Sequence, residues 1–195
     1  MIQEKYEQWL NHPAMDADLK EELLNMTPEQ KHDAFYTDAE FGTAGMRGLL
    51  GAGTNRLNVY TIRKATVGFA KYLNSICDHP TVAISYDNRY QSDVFSIESA
   101  RILASYGIES FVFDALRSTP ELSYAVRYLH CTGGIMVTAS HNPKEYNGYK
   151  VYGEDGAQMS PEATAEVVNY INEIGDCLSD KILCDEKAMK KVKFV

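Results

Sequence analysis

Through the middle of the chain, short apolar runs alternate with longer segments whose apolar residues recur at helical spacing. The runs predict buried strands, and the longer segments predict helices with one buried face. The predicted strands are 81–86, 109–113, 133–137 and 149–152, and the predicted helices are 61–76, 92–106, 119–130 and 161–174. Strands that are joined through helices of this length predict right-handed crossovers. We therefore expect a three-layer α/β/α domain with a mixed, mostly parallel sheet, to which residues 149–152 add an antiparallel edge strand.

The two ends of the chain have other patterns. Helical spacing around Trp9 and over residues 16–26 and 28–36 predicts three helices ahead of the α/β region. Residues 49–60 contain Gly51 and Gly53 and predict a loop or a hairpin. The predicted division is a helical leader (1–40), an α/β domain (41–175) and a polar, charged segment that is a linker or the start of a further domain (176–195).

The candidate chemistry lies in a turn that follows the apolar run 133–137. Ser140 and His141 occupy this turn, and Asn142 before Pro143 directs the backbone away from helix. Ligands of open α/β sheets bind at the carboxyl edge of the strands, which is where the turn is expected. Residues 146–148 predict a second turn, after which the returning strand carries Lys150. A hydroxyl, an imidazole and an ammonium are thus expected on one loop.

Other interpretations of these residues remain open. Serine and asparagine are common turn residues, so the turn has a purely structural interpretation. A serine hydrolase is disfavoured, because its nucleophile elbow has the pattern Gly-x-Ser-x-Gly, whereas Ser140 lies between Ala139 and His141. An imidazole next to a serine in sequence also rarely reaches that hydroxyl, so His141 is expected to act on a substrate.

Two motifs together resemble those of a known family. The turn Thr-Ala-Ser-His-Asn-Pro at 138–143, with Tyr-Asn-Gly-Tyr-Lys at 146–150, resembles the active-site serine loop of the α-D-phosphohexomutases. The segment Phe-Gly-Thr-Ala-Gly-Met-Arg-Gly at 41–48 resembles the N-terminal motif of the same family. Ala44 and the helical leader are most similar to the branch of phosphoglucomutase 2 and the phosphopentomutases. The resemblance covers roughly residues 41–174, which corresponds to the first of the family's four domains.

The resemblance implies a set of roles. Ser140 is implied to carry a phosphoryl group, which Arg47 and Lys150 hold as cations, and His141 or Lys150 is implied to transfer the proton. The implied cofactors are Mg²⁺, bound through phosphorylated Ser140, and a sugar bisphosphate activator such as glucose 1,6-bisphosphate. The implied substrates are small phosphosugars, with phosphoglucomutase activity first and phosphopentomutase or phosphomannomutase activity as alternatives. A further alternative is a protein that binds sugar phosphates without catalysis.

The resemblance also implies that parts of the site come from elsewhere. The family's metal loop, Asp-x-Asp-x-Asp-Arg, does not occur in these residues. Phosphoryl transfer normally needs a divalent ion held by carboxylates beside phosphate oxygens. We therefore expect a fragment that contacts further domains of the same chain and is inactive or nearly inactive by itself.

Structural interpretations of the same residues are also available. In these alternatives, Arg47 pairs with a surface carboxylate and Lys150 is a solvated strand residue. The glycines of 42–53 simply permit turns. At the carboxyl end of strand 81–86, Asp87, Asn88 and Arg89 are expected to help shape the pocket. A purely structural pair of Asp87 with Arg89 is an equal alternative.

Composition limits the classes of partner. The chain has 195 residues and a formal charge of −8, and this acidic balance argues against nucleic acid as a partner. No apolar stretch is long enough for a membrane span, and the N-terminal residues do not predict a signal peptide, so a cytoplasmic location is expected. The four cysteines, Cys77, Cys131, Cys177 and Cys184, are widely spaced and are expected to be reduced thiols.

Overall fold

A computed structural model describes residues 2–43, 45–182 and 185–195. Ala44 and Cys184 lie outside the described residues, so the expectations attached to them stay predictions. The described residues contain no helix that is both long and apolar enough to cross a membrane. The cysteines at 77, 131 and 177 are free, and burial raises the pKa of the Cys131 thiol to about 11.

The leader folds as three helices, as its apolar spacing predicts. These are α1 (Ile2–Leu10), α2 (Ala17–Asn25) and α3 (Pro28–Phe35). The Asp16 carboxylate caps α2, and Thr27 begins α3 with a reciprocal capping box to Gln30. Side chains that accept from the first free amides of a helix fix where it starts, which explains why these boundaries follow the sequence closely.

Six strands form one sheet. They are β1 (Gly45–Leu49), β2 (Thr81–Tyr86), β3 (Glu109–Val112), β4 (Gly133–Val137), β5 (Tyr146–Gly153) and β6 (Val192–Phe194). The order across the sheet is β1-β5-β4-β2-β3-β6. Strands β4, β2, β3 and β6 pair in parallel, whereas β5 is antiparallel to both of its neighbours. The sheet is mixed and mostly parallel, as predicted.

Helices cover both faces of this sheet. The remaining α-helices are α4 (Val59–Ile76), α5 (Ser92–Ser105), α6 (Thr119–Tyr128) and α7 (Pro161–Ile174). The largest core cluster joins α4, α5 and α7 to one face, through strand residues such as Ile84 and Ile135. A second cluster joins α6 to the other face, through Ala83 and Met136. Neighbours along one strand therefore point to opposite layers, and the predicted three-layer α/β/α architecture is confirmed.

Two predictions about the antiparallel part of the sheet were wrong. Residues 146–148 form the start of β5 rather than a turn, and β5 lies inside the sheet because β1 pairs along its outer side. The polar Asn147 is fully buried at this point, where its amide nitrogen donates to Ser92 Oγ at 3.0 Å and to the Tyr90 carbonyl at 3.1 Å. These tertiary hydrogen bonds outweigh the turn preference of an Asn-Gly pair.

The C-terminal residues also join the sheet. A short 3₁₀ helix, Glu186–Lys191, leads into β6, whose residues pair in parallel with β3. The division into leader, α/β domain and following segment stays a prediction.

The leader is packed against the domain and is bonded to the loop that follows β1. Trp9 is fully buried and makes edge-to-face contacts with Phe35 and with Tyr60, which lies at the start of α4. The Glu22 carboxylate of α2 accepts from the Ala52 amide at 3.0 Å. The loop that follows β1, residues 50–58, is also bonded to the segment that follows β4, because the Leu50 amide donates to the Glu145 carbonyl at 2.9 Å. The leader thus supports a segment that lies beside Ser140.

Candidate active site around Ser140

Ser140 lies just beyond the carboxyl end of β4, at the sheet edge predicted from the sequence. Its side chain is exposed, and its backbone has φ of 54°, the left-handed region that non-glycine residues seldom adopt. The segment from residue 140 to residue 146, called here the serine loop, connects β4 to β5. A residue in such a conformation persists only where its surroundings determine it.

One set of hydrogen bonds fixes the amide side of Ser140. The Ser140 amide donates to Thr138 Oγ1 at 2.9 Å, and the Thr138 hydroxyl donates to Asp87 Oδ2. The other oxygen of Asp87 accepts from the Arg89 amide and from Ser92 Oγ, each at 3.1 Å. The carboxylate after β2 therefore anchors the backbone after β4, which is the adjacent parallel strand.

A second set fixes the carbonyl side of the serine loop. The guanidinium of Arg89 donates to four carbonyl oxygens in this loop, at distances of 2.6 to 3.0 Å. The four acceptors belong to Ser140, Asn142, Pro143 and Tyr146. Of the two predicted roles of Arg89, the side-chain pair with Asp87 is wrong, since among the described residues Arg89 meets Asp87 only through its own amide.

Lys150 is the side chain that reaches Ser140 directly. Its ammonium donates to Ser140 Oγ at 3.0 Å, although ten residues separate the two in sequence. Lys150 is half-buried, and burial lowers its pKa below the ordinary lysine value. The nearby Arg47 lowers the pKa further by charge repulsion, and Asp87 partly opposes this effect. Lys150 is thus not simply a solvated strand residue.

Arg47 lies on the same face of the β1/β5 pair as Lys150. Gly45 pairs with Lys150 and Arg47 pairs with Gly148, so Arg47 and Lys150 share one face, while Met46 and Tyr149 share the buried one. Arg47 is exposed, and no carboxylate among the described residues forms an ion pair with it. The alternative of a surface ion pair for Arg47 is therefore wrong for this part of the chain.

His141 is also exposed, next to Ser140. Within the described residues its imidazole has no hydrogen-bond partner, so the side chain is free to turn toward a bound molecule. A cleft of about 670 Å³ opens beside the serine loop, and its lining includes Ser140, Asp87, Arg89 and Lys144. This volume is in the range of small-molecule sites. Arg47, His141 and Lys150 are not part of its lining.

A larger cleft of about 1120 Å³ lies at the opposite edge of the sheet. Thr81 and Glu109, the first residues of β2 and β3, line it. It lies at the amino ends of the parallel strands, away from the serine loop and from the edge where ligands of such sheets bind.

The described residues do not make a magnesium site by themselves. No group of three or more His, Cys, Asp or Glu side chains among them is arranged to hold a metal ion. The hydroxyl of Ser140 faces an ammonium, and both oxygens of the adjacent Asp87 already accept hydrogen bonds. Mg²⁺ prefers several oxygen ligands, so it would need donors beyond this set.

Sequence reasoning missed how Asp87, Thr138 and Arg89 work together. The polar residues at the carboxyl ends of β2 and β4 are visible in the sequence, and parallel pairing of these strands brings them together. The carbonyl oxygens that Arg89 gathers have no signal in the sequence.

Comparison with known proteins adds a family relationship. A family model described as "Phosphoglucomutase/phosphomannomutase, alpha/beta/alpha domain I" matches residues 38–176. A phosphoglucomutase of Staphylococcus epidermidis is 50% identical over 157 residues, which cover 80% of this chain and 29% of that relative. A phosphoglucomutase of Staphylococcus aureus is 43% identical over 187 residues, which cover 96% of this chain and 34% of that relative.

A solved structure gives the same fold. The crystal structure of a putative phosphomannomutase from Thermus thermophilus superimposes with a TM-score of 0.69 at 24% identity, over 82% of this chain and 33% of that one. The chain spans about a third of the length of the curated relatives it matches.

Proposed function

The chain belongs to the phosphoglucomutase/phosphomannomutase family, and from this premise we propose that it is the serine-bearing domain of a phosphosugar mutase. The reaction is the interconversion of a sugar 1-phosphate and a sugar 6-phosphate, or a 5-phosphate for pentoses. Phosphoglucomutase activity is the first choice, because the relatives at 43–50% identity carry that name. Phosphopentomutase and phosphomannomutase activities are the alternatives. In this proposal, residues 1–40 are a leader, 41–175 the domain and 176–195 a linker or the start of a further domain, of which Val192–Phe194 pair with β3 of this sheet.

The observation that carries the proposal is the contact between Lys150 Nζ and the exposed Ser140 Oγ, at 3.0 Å. An ammonium beside a serine oxygen stabilises negative charge on that oxygen, whether it bears a phosphoryl group or leaves one. Arg47, on the same face of the β1/β5 pair, adds a fork of donors that suits phosphate oxygens. A non-catalytic binding protein would need no such contact at the serine oxygen.

The proposed chemistry transfers one phosphoryl group from Ser140 and later returns another. The bond from phosphorus to Ser140 Oγ breaks as a hydroxyl oxygen of the sugar monophosphate bonds to phosphorus. The proton of that hydroxyl moves to a base, and the serine oxygen gains a proton. The second half runs in reverse from the other phosphate of the bisphosphate intermediate. His141 and Lys150 are the candidates for proton transfer, and Lys150 is the one that touches the serine oxygen.

The family implies a metal cofactor, commonly Mg²⁺. We propose that phosphorylated Ser140 supplies one of its ligands and that the remaining ligands come from outside the described residues. The ion would neutralise charge on the transferring phosphoryl group. A sugar bisphosphate such as glucose 1,6-bisphosphate is the proposed activator, since it delivers the first phosphoryl group to Ser140. A soluble, cytoplasmic setting suits these small phosphorylated substrates.

The test replaces the serine oxygen in the full-length protein that contains this chain. Ser140→Ala is expected to reduce mutase turnover to the assay background, and the wild-type protein is expected to gain one phosphate at Ser140 from glucose 1,6-bisphosphate. Intact mass and peptide mapping measure the phosphate. Normal turnover in Ser140→Ala would refute the phosphoserine assignment. Reaction of Ser140 with an acylating serine probe would favour a hydrolase instead.

A further inference from the structure

Arg89 makes an unusual set of contacts for a residue outside the motifs. Nη1 donates to the carbonyls of Pro143 at 2.7 Å and Tyr146 at 3.0 Å. Nη2 donates to the carbonyls of Ser140 at 2.7 Å and Asn142 at 2.6 Å. One planar group therefore gathers carbonyl oxygens from both ends of the serine loop. A guanidinium can do this because its donors have a fixed, divergent geometry that an ammonium lacks.

We propose that Arg89 is a positioning residue that holds the serine loop in the conformation presenting Ser140 Oγ for phosphoryl transfer. The inference rests on the proposed function of Ser140. It assigns Arg89 no contact with the transferring group, because every acceptor of its guanidinium among the described residues is a backbone carbonyl of the serine loop.

The serine loop needs such a support. The backbone at Ser140 and Asn142 is irregular, so their carbonyls require donors other than a strand or helix partner, whereas the Pro143 carbonyl also accepts from the Tyr146 amide at 3.0 Å. Ser140 has a left-handed backbone, which is strained for a residue other than glycine and needs compensating contacts. Arg89 donates to the carbonyl of this strained residue, and on the other side the Ser140 amide donates to Thr138 Oγ1. Together they fix the peptide planes on both sides of Ser140.

Arg89 is itself held in place by the sheet. Its amide donates to Asp87 Oδ1 at 3.1 Å, and its carbonyl accepts from the Ser92 amide at 3.0 Å, at the start of α5. The hydrogen bonds of the guanidinium thus fix the serine loop, after β4, relative to the loop after β2. The loop after β2 is itself held rigidly relative to β4, because β2 and β4 pair along five consecutive residue positions.

The charge of Arg89 adds a second effect. No carboxylate among the described residues forms an ion pair with its guanidinium, and carbonyl dipoles are its acceptors there. Asp87 is the nearby carboxylate, and its oxygens accept from Thr138, from Ser92 and from the Arg89 amide. A positive charge therefore remains behind the serine loop, where it favours a phosphorylated serine over a free one.

The experiment compares Arg89→Ala, Arg89→Lys and a control in the full-length protein. The rate at which Ser140 gains phosphate from glucose 1,6-bisphosphate is expected to fall about 100-fold or more in Arg89→Ala, since a misplacement of about 1 Å costs that much. Arg89→Lys keeps the charge but not the fork, so it should also be slowed, by a smaller factor. Arg127→Ala, on the opposite face of the sheet, is the matched control and should keep the wild-type rate. In steady state, kcat should fall while KM for the sugar phosphate changes little.

Chemical rescue separates positioning from a general loss of structure. Millimolar guanidinium chloride should restore part of the Arg89→Ala rate by filling the same site, and methylammonium chloride at equal ionic strength should not. A wild-type phosphorylation rate in Arg89→Ala would overturn the inference. A loss in Arg89→Ala and Arg89→Lys that guanidinium leaves unchanged would also overturn it and would assign Arg89 to stability alone. Failure of the wild-type protein to gain phosphate would refute the proposed function, and the inference with it.

Discussion

At the scale of residues, the site combines two kinds of cation with different partners. Lys150 reaches the Ser140 oxygen, whereas in the part of the chain that the structure describes Arg89 donates only to backbone carbonyls of the serine loop. Arg47 has no anionic partner among the described residues and lies on the Lys150 face of the β1/β5 pair. These two positive charges repel each other in the free protein, and Asp87 offsets the repulsion at Lys150 only in part. They become favourable when a dianionic group occupies the space between them.

This repulsion makes the titration of Lys150 sensitive to Arg47. Burial and Arg47 both lower the Lys150 pKa, so removing the guanidinium should move that pKa back up toward its ordinary value. We expect a higher Lys150 pKa in Arg47→Gln than in wild type, and little change in Arg47→Lys, which keeps the charge. The Lys150 pKa is measured by NMR, from a titration of the ¹⁵Nζ signal of Lys150 in the unphosphorylated protein. An unchanged or lower pKa in Arg47→Gln would mean that the two charges do not interact.

The sequence predicts part of this arrangement. Ser140 and Lys150 can be assigned to one site because motif and strand order bring them to the same edge. The role of Arg89 cannot be predicted in this way, because its partners are main-chain oxygens whose positions depend on the backbone of the serine loop. The contact between Asp87 and Thr138 can be predicted in part. Parallel pairing of their strands predicts that the two residues are close but does not predict their hydrogen bond.

At the scale of elements, the β1/β5 pair determines where Arg47 and Lys150 meet. The pair requires close backbone approach at Gly45, where an added Cβ would lie 1.9 Å from the Tyr149 carbonyl oxygen. Gly45 also has φ of 141°, which L side chains rarely adopt. The nearby Gly42 is less restricted, since its added Cβ would lie 3.7 Å from the Gly45 oxygen, an ordinary contact.

These two glycines form a matched pair of substitutions. Gly45→Ala should lower the free energy of unfolding by at least about 2 kcal/mol, because it adds backbone strain and a clash inside the sheet. Gly42→Ala should stay within about 0.5 kcal/mol of wild type. Urea denaturation measures both, and mutase activity of the full-length variants should fall with Gly45→Ala alone. Equal stability of the two variants would argue against the register of β1 on β5.

The sequence predicts elements well where the local pattern and the tertiary contacts agree. Helix α7 and strand β4 have the predicted bounds, since a serine cap begins one and a continuous apolar run forms the other. The predicted start of β5 was wrong, because the burial of Asn147 depends on hydrogen bonds to Ser92 and Tyr90, which are far away in sequence. Strand β1 was not predicted, since its glycines and Arg47 hide the alternation of buried and exposed positions.

At the scale of the whole molecule, an acidic chain concentrates positive charge at one edge. The chain carries 27 acidic and 19 basic side chains, yet Arg47, Arg89, Lys144 and Lys150 all lie around the serine loop or the adjacent strands. Such a distribution attracts anionic ligands locally while the remaining surface repels them. The sequence predicts the net charge, but only the sheet topology explains why these cations converge.

The sheet, rather than any single motif, also determines what the chain can do alone. Both faces of the sheet are covered, and the apolar cluster around Trp9 and Phe35 joins the leader to Tyr60 at the start of α4. We expect the 195-residue chain, expressed alone, to unfold in one cooperative urea transition.

We also expect the isolated chain to show no interconversion of sugar phosphates. The relatives are about three times as long, and the described residues supply too few ligands for the metal that phosphoryl transfer uses. A coupled assay with glucose 1-phosphate and Mg²⁺ measures turnover, with the full-length protein as the positive control and its Ser140→Ala variant as the background. Turnover above that background by the isolated chain would mean that these residues hold a complete site, whereas a gradual, non-cooperative urea transition would mean that the core needs the rest of the protein.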